Sequence, residues 1–312
     1  MLVVETLAPL VLLIGLGVCL ARIRFLGPEF MADLNKLAFW IALPALLFTS
    51  ANGAAAPDAQ TWRLLAVLFG GTVIITLAAL AASLALRMPV GARGTLMQAA
   101  FRGNLAYIGI PVLAYSFSET RADGGSRAMG SAVIVMVLTM AFYNILAVIV
   151  LQTSNHSATG ADWRKAVRAI ATNPLLLAGV LGLLVPMLGV TLPSFLQRAL
   201  ESLGAAAVPI ALMCIGGSLA TTRLRGRRSW ILTGALLKVA VLPALVFLMS
   251  RFAGLGPVEQ RIALVLSSCP TAAAAFVMAR QMGGDEALAS GSIALSTLLS
   301  SVSLAVALWV AA

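Results

Sequence analysis

The chain has 312 residues, of which 61% are hydrophobic and 10% charged, with a formal net charge of +10 and a mean hydropathy of +1.01. That is far too apolar for a soluble domain of this length, so the sequence predicts an integral membrane protein. The basic excess does not indicate a nucleic-acid partner, because Lys and Arg fall in short clusters between apolar stretches and not on one amphipathic surface.

Stretches apolar enough to cross about 30 Å of hydrocarbon as helices recur along the chain, and no period-two alternation suggests a barrel. The predicted spans are Leu2–Ala21, Leu34–Gly53, Trp62–Leu86, Thr95–Phe117, Ala128–Gln152, Thr172–Gly189, Gly204–Thr222, Ser229–Phe252, Glu259–Gln281 and Glu286–Ala311. The first has no basic residue before it and is followed by Arg22 and Arg24, so it reads as a retained span that starts outside, not as a cleaved signal. Cys19, Cys214 and Cys269 lie within apolar spans and read as small packing residues, and His156 stands alone in a polar loop. No disulfide, metal or cofactor is expected.

The loops on one side carry 13 basic residues, among them Arg22, Arg93, Lys165 and the run Arg223 to Arg228, against six on the other, among them Arg63, Arg121 and Arg261. The richer side should face the cytoplasm, which puts both termini outside; the alternative reading of Arg223 to Arg228, a lipid-headgroup anchor, gives the same orientation. The longest polar segment separates five spans from five, giving residues 1–152, a cytoplasmic linker 153–171 and residues 172–312. Five is odd, so two related halves in series must enter the membrane from opposite sides, as inverted repeats. Val208-Pro209-Ile210-Ala211-Leu212 resembles Leu43-Pro44-Ala45-Leu46-Leu47 at an offset of 165. An offset of 164 sets Pro111 opposite Ala275 and Asn104 opposite Ser268, whereas matching Pro111 to Pro270 gives 159 and needs a deletion; the first register is preferred.

Two segments, Leu96 to Phe117 and Ile262 to Gln281, carry helix-breaking signals at similar places in the halves. In the first, Gly109-Ile110-Pro111 joins a flexible residue to a missing N–H within one turn, and Asn104 lies two turns earlier. In the second, Ser267-Ser268-Cys269-Pro270-Thr271 precedes the small run Ala272 to Ala275, which permits close crossing without demanding that the helix unwind. Pro44, Pro186, Pro209 and Pro243 read as simple kinks. Paired interruptions point to a midplane transport site. Half-helices beginning at Pro111 and between Pro270 and Ala275 would direct unpaired N–H groups at an anion, with Asn104, Ser268 and Thr271 as neutral donors.

Lys238, nine residues into the eighth span, must face a cavity, pair with a carbonyl end or lose its proton. Its role is either countercharge to the anion or substitute for a coupling cation, or else snorkelling or a structural contact. Arg102 is expected at the entrance or among headgroups. No acidic residue falls mid-span, which argues against a carboxylate-based sodium/proton antiporter, and no buried Asp pair, His cluster or Ser with its base supports an intramembrane enzyme. A receptor or scaffold would leave both interruptions unexplained.

Asn104-Leu105-Ala106-Tyr107-Ile108-Gly109-Ile110-Pro111, Pro270-Thr271 with Phe276-Val277-Met278-Ala279-Arg280, and Asn173-Pro174-Leu175 together resemble the auxin efflux carrier family over nearly the whole chain. With only residues 153–171 where long plant members have a large loop, the chain looks like a bacterial member. The resemblance implies a ten-helix fold similar to the bile acid:sodium symporters, an all-α integral membrane protein with two inverted five-helix repeats and crossed, broken fourth and ninth helices. It implies a secondary transporter, an efflux carrier of small organic acid anions such as indole-3-acetate or dicarboxylates, working by an elevator mechanism in the bacterial inner membrane. A sodium- or proton-coupled carrier of another solute and a non-transporting receptor are the alternatives. Carried over by position, Asn104 would contact the substrate carboxylate and Pro111 would mark the first crossover. The chain departs from many bacterial relatives at Ala274, where an asparagine is frequent. The expected partners are the anion, membrane lipid and a homodimeric second copy.

Overall fold

The computed structural model describes residues 2–54, 57–118, 122–154, 167–168, 171–221 and 226–311, and its regular elements are all helical. They are α1 (Leu2–Arg22), α2 (Pro28–Asn52), α3 (Ala59–Ala85), α4 (Val90–Phe101), α5 (Ile110–Ser118), α6 (Ala122–Thr153), α7 (Pro174–Met187), α8 (Ser194–Thr221), α9 (Arg228–Phe252), α10 (Pro257–Ser268), α11 (Ala274–Gln281) and α12 (Glu286–Val310). Among the described residues six helices are long and apolar enough to cross a membrane, within α2, α3, α6, α8, α9 and α12, and Thr6–Arg22, Leu105–Phe117 and Pro174–Met187 are shorter apolar helices. Most of the linker, including His156, Asp162, Arg164 and Lys165, lies outside the described residues, as do Arg223 and Arg225.

Local chemistry sets the helix ends. Pro28, Pro174 and Pro257 each sit in a first turn, where the missing N–H is one of the orphan donors and φ is already helical. The Asn173 side chain caps α7, accepting from the Leu175 and Leu176 N–H groups at 2.9 and 3.3 Å. Hydropathy alone places several starts too late. α2 begins at Pro28 and not Leu34, α10 at Pro257 and not Glu259, and α8 at Ser194 and not Gly204. The extra turns are polar but remain helical, as in α2, where Lys36 pairs with Asp33 at 2.8 Å.

Two of the expected proline kinks are π-helical turns. Residues Ala38–Ala42 and Leu237–Val241 precede Pro44 and Pro243, and the Leu43 and Leu242 N–H groups reach back five residues to the Ala38 and Leu237 carbonyls. The wider turn moves the preceding carbonyls out of the way of a ring that can neither donate to them nor pack against them. α8 runs through Pro209 as one helix, and Pro186 lies in the last turn of α7.

The chain divides into two compact units, each drawing on both halves of the sequence. The first comprises Met1–Asp58, Ala106–Leu138 and Ala171–Thr221. In it α1 and α8 touch backbone to backbone: a Cβ at Gly17 would overlap the Met213 carbonyl, and one at Gly216 the Ile14 carbonyl. Cys19 is exposed on α1, contrary to its reading as a packed thiol, whereas Cys214 is buried. The second unit comprises Ala59–Leu105, Thr139–Ile170 and Thr222–Ala312. One core cluster there joins Met88, Ala92 and Leu96 to Ile231 of α9 and Leu288 of α12.

Candidate functional site

The interruption of the fourth span lies at Arg102–Asn104, not at Gly109-Ile110-Pro111. α4 ends at Phe101, Arg102 is extended, and the chain re-enters helix through a π turn, Leu105–Gly109, that runs into α5. Pro111 follows this π turn as Pro44 and Pro243 follow theirs: the wider turn takes up the ring, and the helix Leu105–Phe117 runs through it unbroken. In the ninth span the helix stops at Ser268 and resumes at Ala274, so the expected interruption around Pro270 is present.

Within the second unit the two unwound segments pair as a single antiparallel bridge, Gly103 with Thr271. The Asn104 N–H donates to the Pro270 carbonyl at 2.7 Å, and the Ala272 N–H to the Arg102 carbonyl at 2.9 Å. Backbone groups that two broken helices would leave unmet at membrane depth thus satisfy each other. A Cβ at Gly103 would press on the movable Leu105 Cδ2 at 2.9 Å and meet the Leu266 carbonyl at 3.4 Å and Lys238 Nζ at 3.5 Å, both ordinary contact distances.

The residues proposed from sequence separate into struts and free donors. Thr271 is a strut: it is buried, its hydroxyl donates to the Ala99 carbonyl at 2.8 Å, and its N–H donates to Ser296 Oγ at 3.0 Å. Pro270, Ser268 and Ala275 are also buried, and Ser268 Oγ has no hydrogen-bond partner among the described residues. Gly109, Ile110 and Pro111 are buried and belong to the first unit, where the half-buried Tyr107 hydroxyl donates to Asn35 Oδ1 at 3.0 Å. Asn104 is half-buried, and among the described residues nothing hydrogen-bonds its carboxamide. At the start of α11 the Ala275 and Phe276 N–H groups turn back to the Ala272 and Ala273 carbonyls, while the exposed Ala273 and Ala274 have N–H groups that no described residue accepts. The free positive helix end is thus at Ala273 and Ala274.

Two cations lie in the same unit. Arg102 is not at an entrance but buried: because α4 has ended, its side chain turns onto α6, where Nη2 donates to Asn144 Oδ1 at 2.5 Å and Nη1 to the Tyr143 carbonyl at 3.5 Å. Lys238 is wholly buried in the π turn of α9, and its ammonium donates to the Ser267 carbonyl at 2.6 Å. That carbonyl is in the last turn of α10, so the cation sits on the negative end of the helix dipole. No described carboxylate pairs with either. Sequence reasoning missed Asn144 and Ser296, although an amide in the middle of the span Ala128–Gln152 and a hydroxyl in an apolar helix are the kind of signal that marks buried polar contacts.

The chain matches the model of the family described as membrane transport protein over residues 2–308. The chain belongs to this family, the auxin efflux carriers. It is 29% identical over 296 residues to a Rhizobium meliloti protein named "Putative malonate transporter", covering 92% of this chain and 89% of that one. Uncharacterized transporters of Methanocaldococcus jannaschii and Methanothermobacter thermautotrophicus are 26% and 28% identical, covering 91% and 96% of this chain and 90% and 95% of their own. The family and these names indicate a multi-pass membrane transporter and not an enzyme.

Proposed function

We propose that this carrier is a secondary transporter of small organic acid anions, dicarboxylates in particular, bound in the second unit between the Asn104 carboxamide and the free N–H groups at the start of α11. The observation that carries the reading is charge: Arg102 and Lys238 are buried beside unwound helix ends with no described carboxylate to neutralise them. An anion supplies the missing negative charge in a medium where each uncompensated cation is costly. The name of the Rhizobium relative fits a small dicarboxylate.

The wider architecture we propose is ten membrane helices in two inverted repeats, working as an elevator that moves the unit holding Asn104, with efflux as the direction. It spans a bacterial inner membrane with both termini outside. The repeats are supported by part of the composition of the units: the first takes α1 and α2 with α7 and α8, and the second takes α3 and α4 with α9 and α10, whereas α5 falls in the first unit and α11 in the second, and α6 is divided between the units while α12 lies in the second. A twofold carrying Gly103 onto Thr271, an offset of 168 (271 − 103) in place of the 164 preferred from the sequence, also carries the Asn104 to Pro270 bond onto the Ala272 to Arg102 bond.

Radiolabelled malonate, other dicarboxylates and indole-3-acetate offered to proteoliposomes, with and without proton and sodium gradients, test the reading. Saturable flux of one acid, lost in Asn104→Ala, supports it. Binding without flux would make the protein a receptor, and flux of neutral solutes alone would remove the anion assignment.

A further inference from the structure

The carbonyl end of a discontinuous helix is where secondary transporters hold a coupling cation, because unwound carbonyls and the negative dipole end stabilise positive charge at membrane depth. Here the carbonyl end of α10 is already occupied by Lys238, whose Nζ lies 2.6 Å from the Ser267 carbonyl oxygen. The local sequence builds this placement. The π turn before Pro243 carries Lys238, and its ammonium lies beside Gly103, 3.5 Å from where a Cβ there would stand. The side chain is fully buried and no described carboxylate pairs with it, so the carbonyl contact and the neighbouring substrate site are what stabilise its charge.

We infer that Lys238 is the resident cation of the transport site, holding through its own side chain the place a dissociable alkali-metal ion would take. Anion binding therefore needs no added sodium. This rests on the anion-transport reading, but it adds a statement about what neutralises the α10 end that does not depend on which acid is carried. Truncation to alanine empties a space shaped for a propylammonium ion, which brings back both the charge and the removed atoms.

The test compares purified wild-type protein, Lys238→Ala and Lys238→Met in sodium, choline and n-propylammonium chloride at equal ionic strength, reading unfolding temperature and malonate binding. In Lys238→Ala, propylammonium should raise the unfolding temperature saturably by about 2 °C or more over choline. It should leave wild type and Lys238→Met, whose side chain fills the space, unmoved. Malonate binding should fall by about tenfold or more in Lys238→Ala and return with the amine. Wild type should bind malonate equally in sodium and choline. A sodium requirement in wild type, or a folded Lys238→Ala that ignores the amine, overturns the inference. If Lys238→Ala yields no folded protein, the sodium comparison on wild type decides. If wild type binds no acid at all, the anion reading fails, while the amine response still reads Lys238.

Discussion

Asn104 and Thr271 look alike as sequence candidates, each a small polar residue in an interrupted span, yet the structure gives them opposite jobs, and a pair of substitutions separates them. Thr271→Val keeps the side-chain shape and deletes the hydroxyl that donates to the Ala99 carbonyl at 2.8 Å. Ala99 is in the last turn of α4, so its carbonyl has no intrahelical partner to fall back on, and burial keeps water away. Leaving a buried acceptor unmet costs about 1–3 kcal/mol, and each kcal/mol lowers the unfolding temperature of a chain this large by about 2–4 °C. Asn104→Ala removes a half-buried carboxamide with no described protein partner, so stability should change by less than about 0.5 kcal/mol. If that carboxamide donates to a carboxylate, binding should weaken by about 1.5–3 kcal/mol, or roughly ten- to a hundredfold. Thermal unfolding and malonate titration of both proteins are the assays. Thr271→Val should move mainly the first and Asn104→Ala mainly the second. A stable Thr271→Val with weakened binding, or a destabilised Asn104→Ala that binds normally, would refute the division.

Asn144→Leu should destabilise the carrier by about 1.5–3 kcal/mol in the same thermal assay, because it strips the buried Arg102 guanidinium of its side-chain acceptor. Gly216→Val should sharply reduce the yield of monodisperse protein on size-exclusion chromatography, since the added carbon meets α1 backbone that only separation of α1 from α8 can relieve. In a background with the exposed Cys19 replaced, a cysteine at Arg225 should react with impermeant maleimide only from the cytoplasmic side. Labelling from outside would invert the orientation.

The sequence makes the helical class, the membrane setting and the two interrupted spans legible, because mean hydropathy and clustered helix breakers are one-dimensional signals. It misplaces the first break. Pro111 is the strongest local breaker in the fourth span, but a π turn can take up a proline without ending the helix, and Leu105–Gly109 supplies one, whereas the interruption comes earlier, at the end of α4. What ends α4 is tertiary: the unwound Arg102 to Asn104 backbone finds its partners in Pro270 and Ala272, more than 160 residues away. No window on either segment contains that pairing. The weak residue in the segment, Gly103, is informative only once something is known to approach it.

Arg102 shows the same limit from the side of charge. By position an arginine seven residues into the predicted span Thr95–Phe117 reads as an entrance residue, since a helical side chain there could reach the headgroups. Unwinding changes where the side chain points, and a guanidinium expected at the boundary becomes a buried one held by Asn144. Lys238 was legible as unusual because its cost at mid-span is independent of direction, but the choice among cavity, carbonyl and lost proton required knowing that α10 stops at Ser268. The break therefore does more than make room for a solute. It turns the negative ends of α4 and α10 toward groups that satisfy them, Thr271 and Lys238, and leaves the positive end of α11 unmet. That imbalance gives the unwound region a positive sign, which adds to the charges of Arg102 and Lys238 on which the proposed anion site rests.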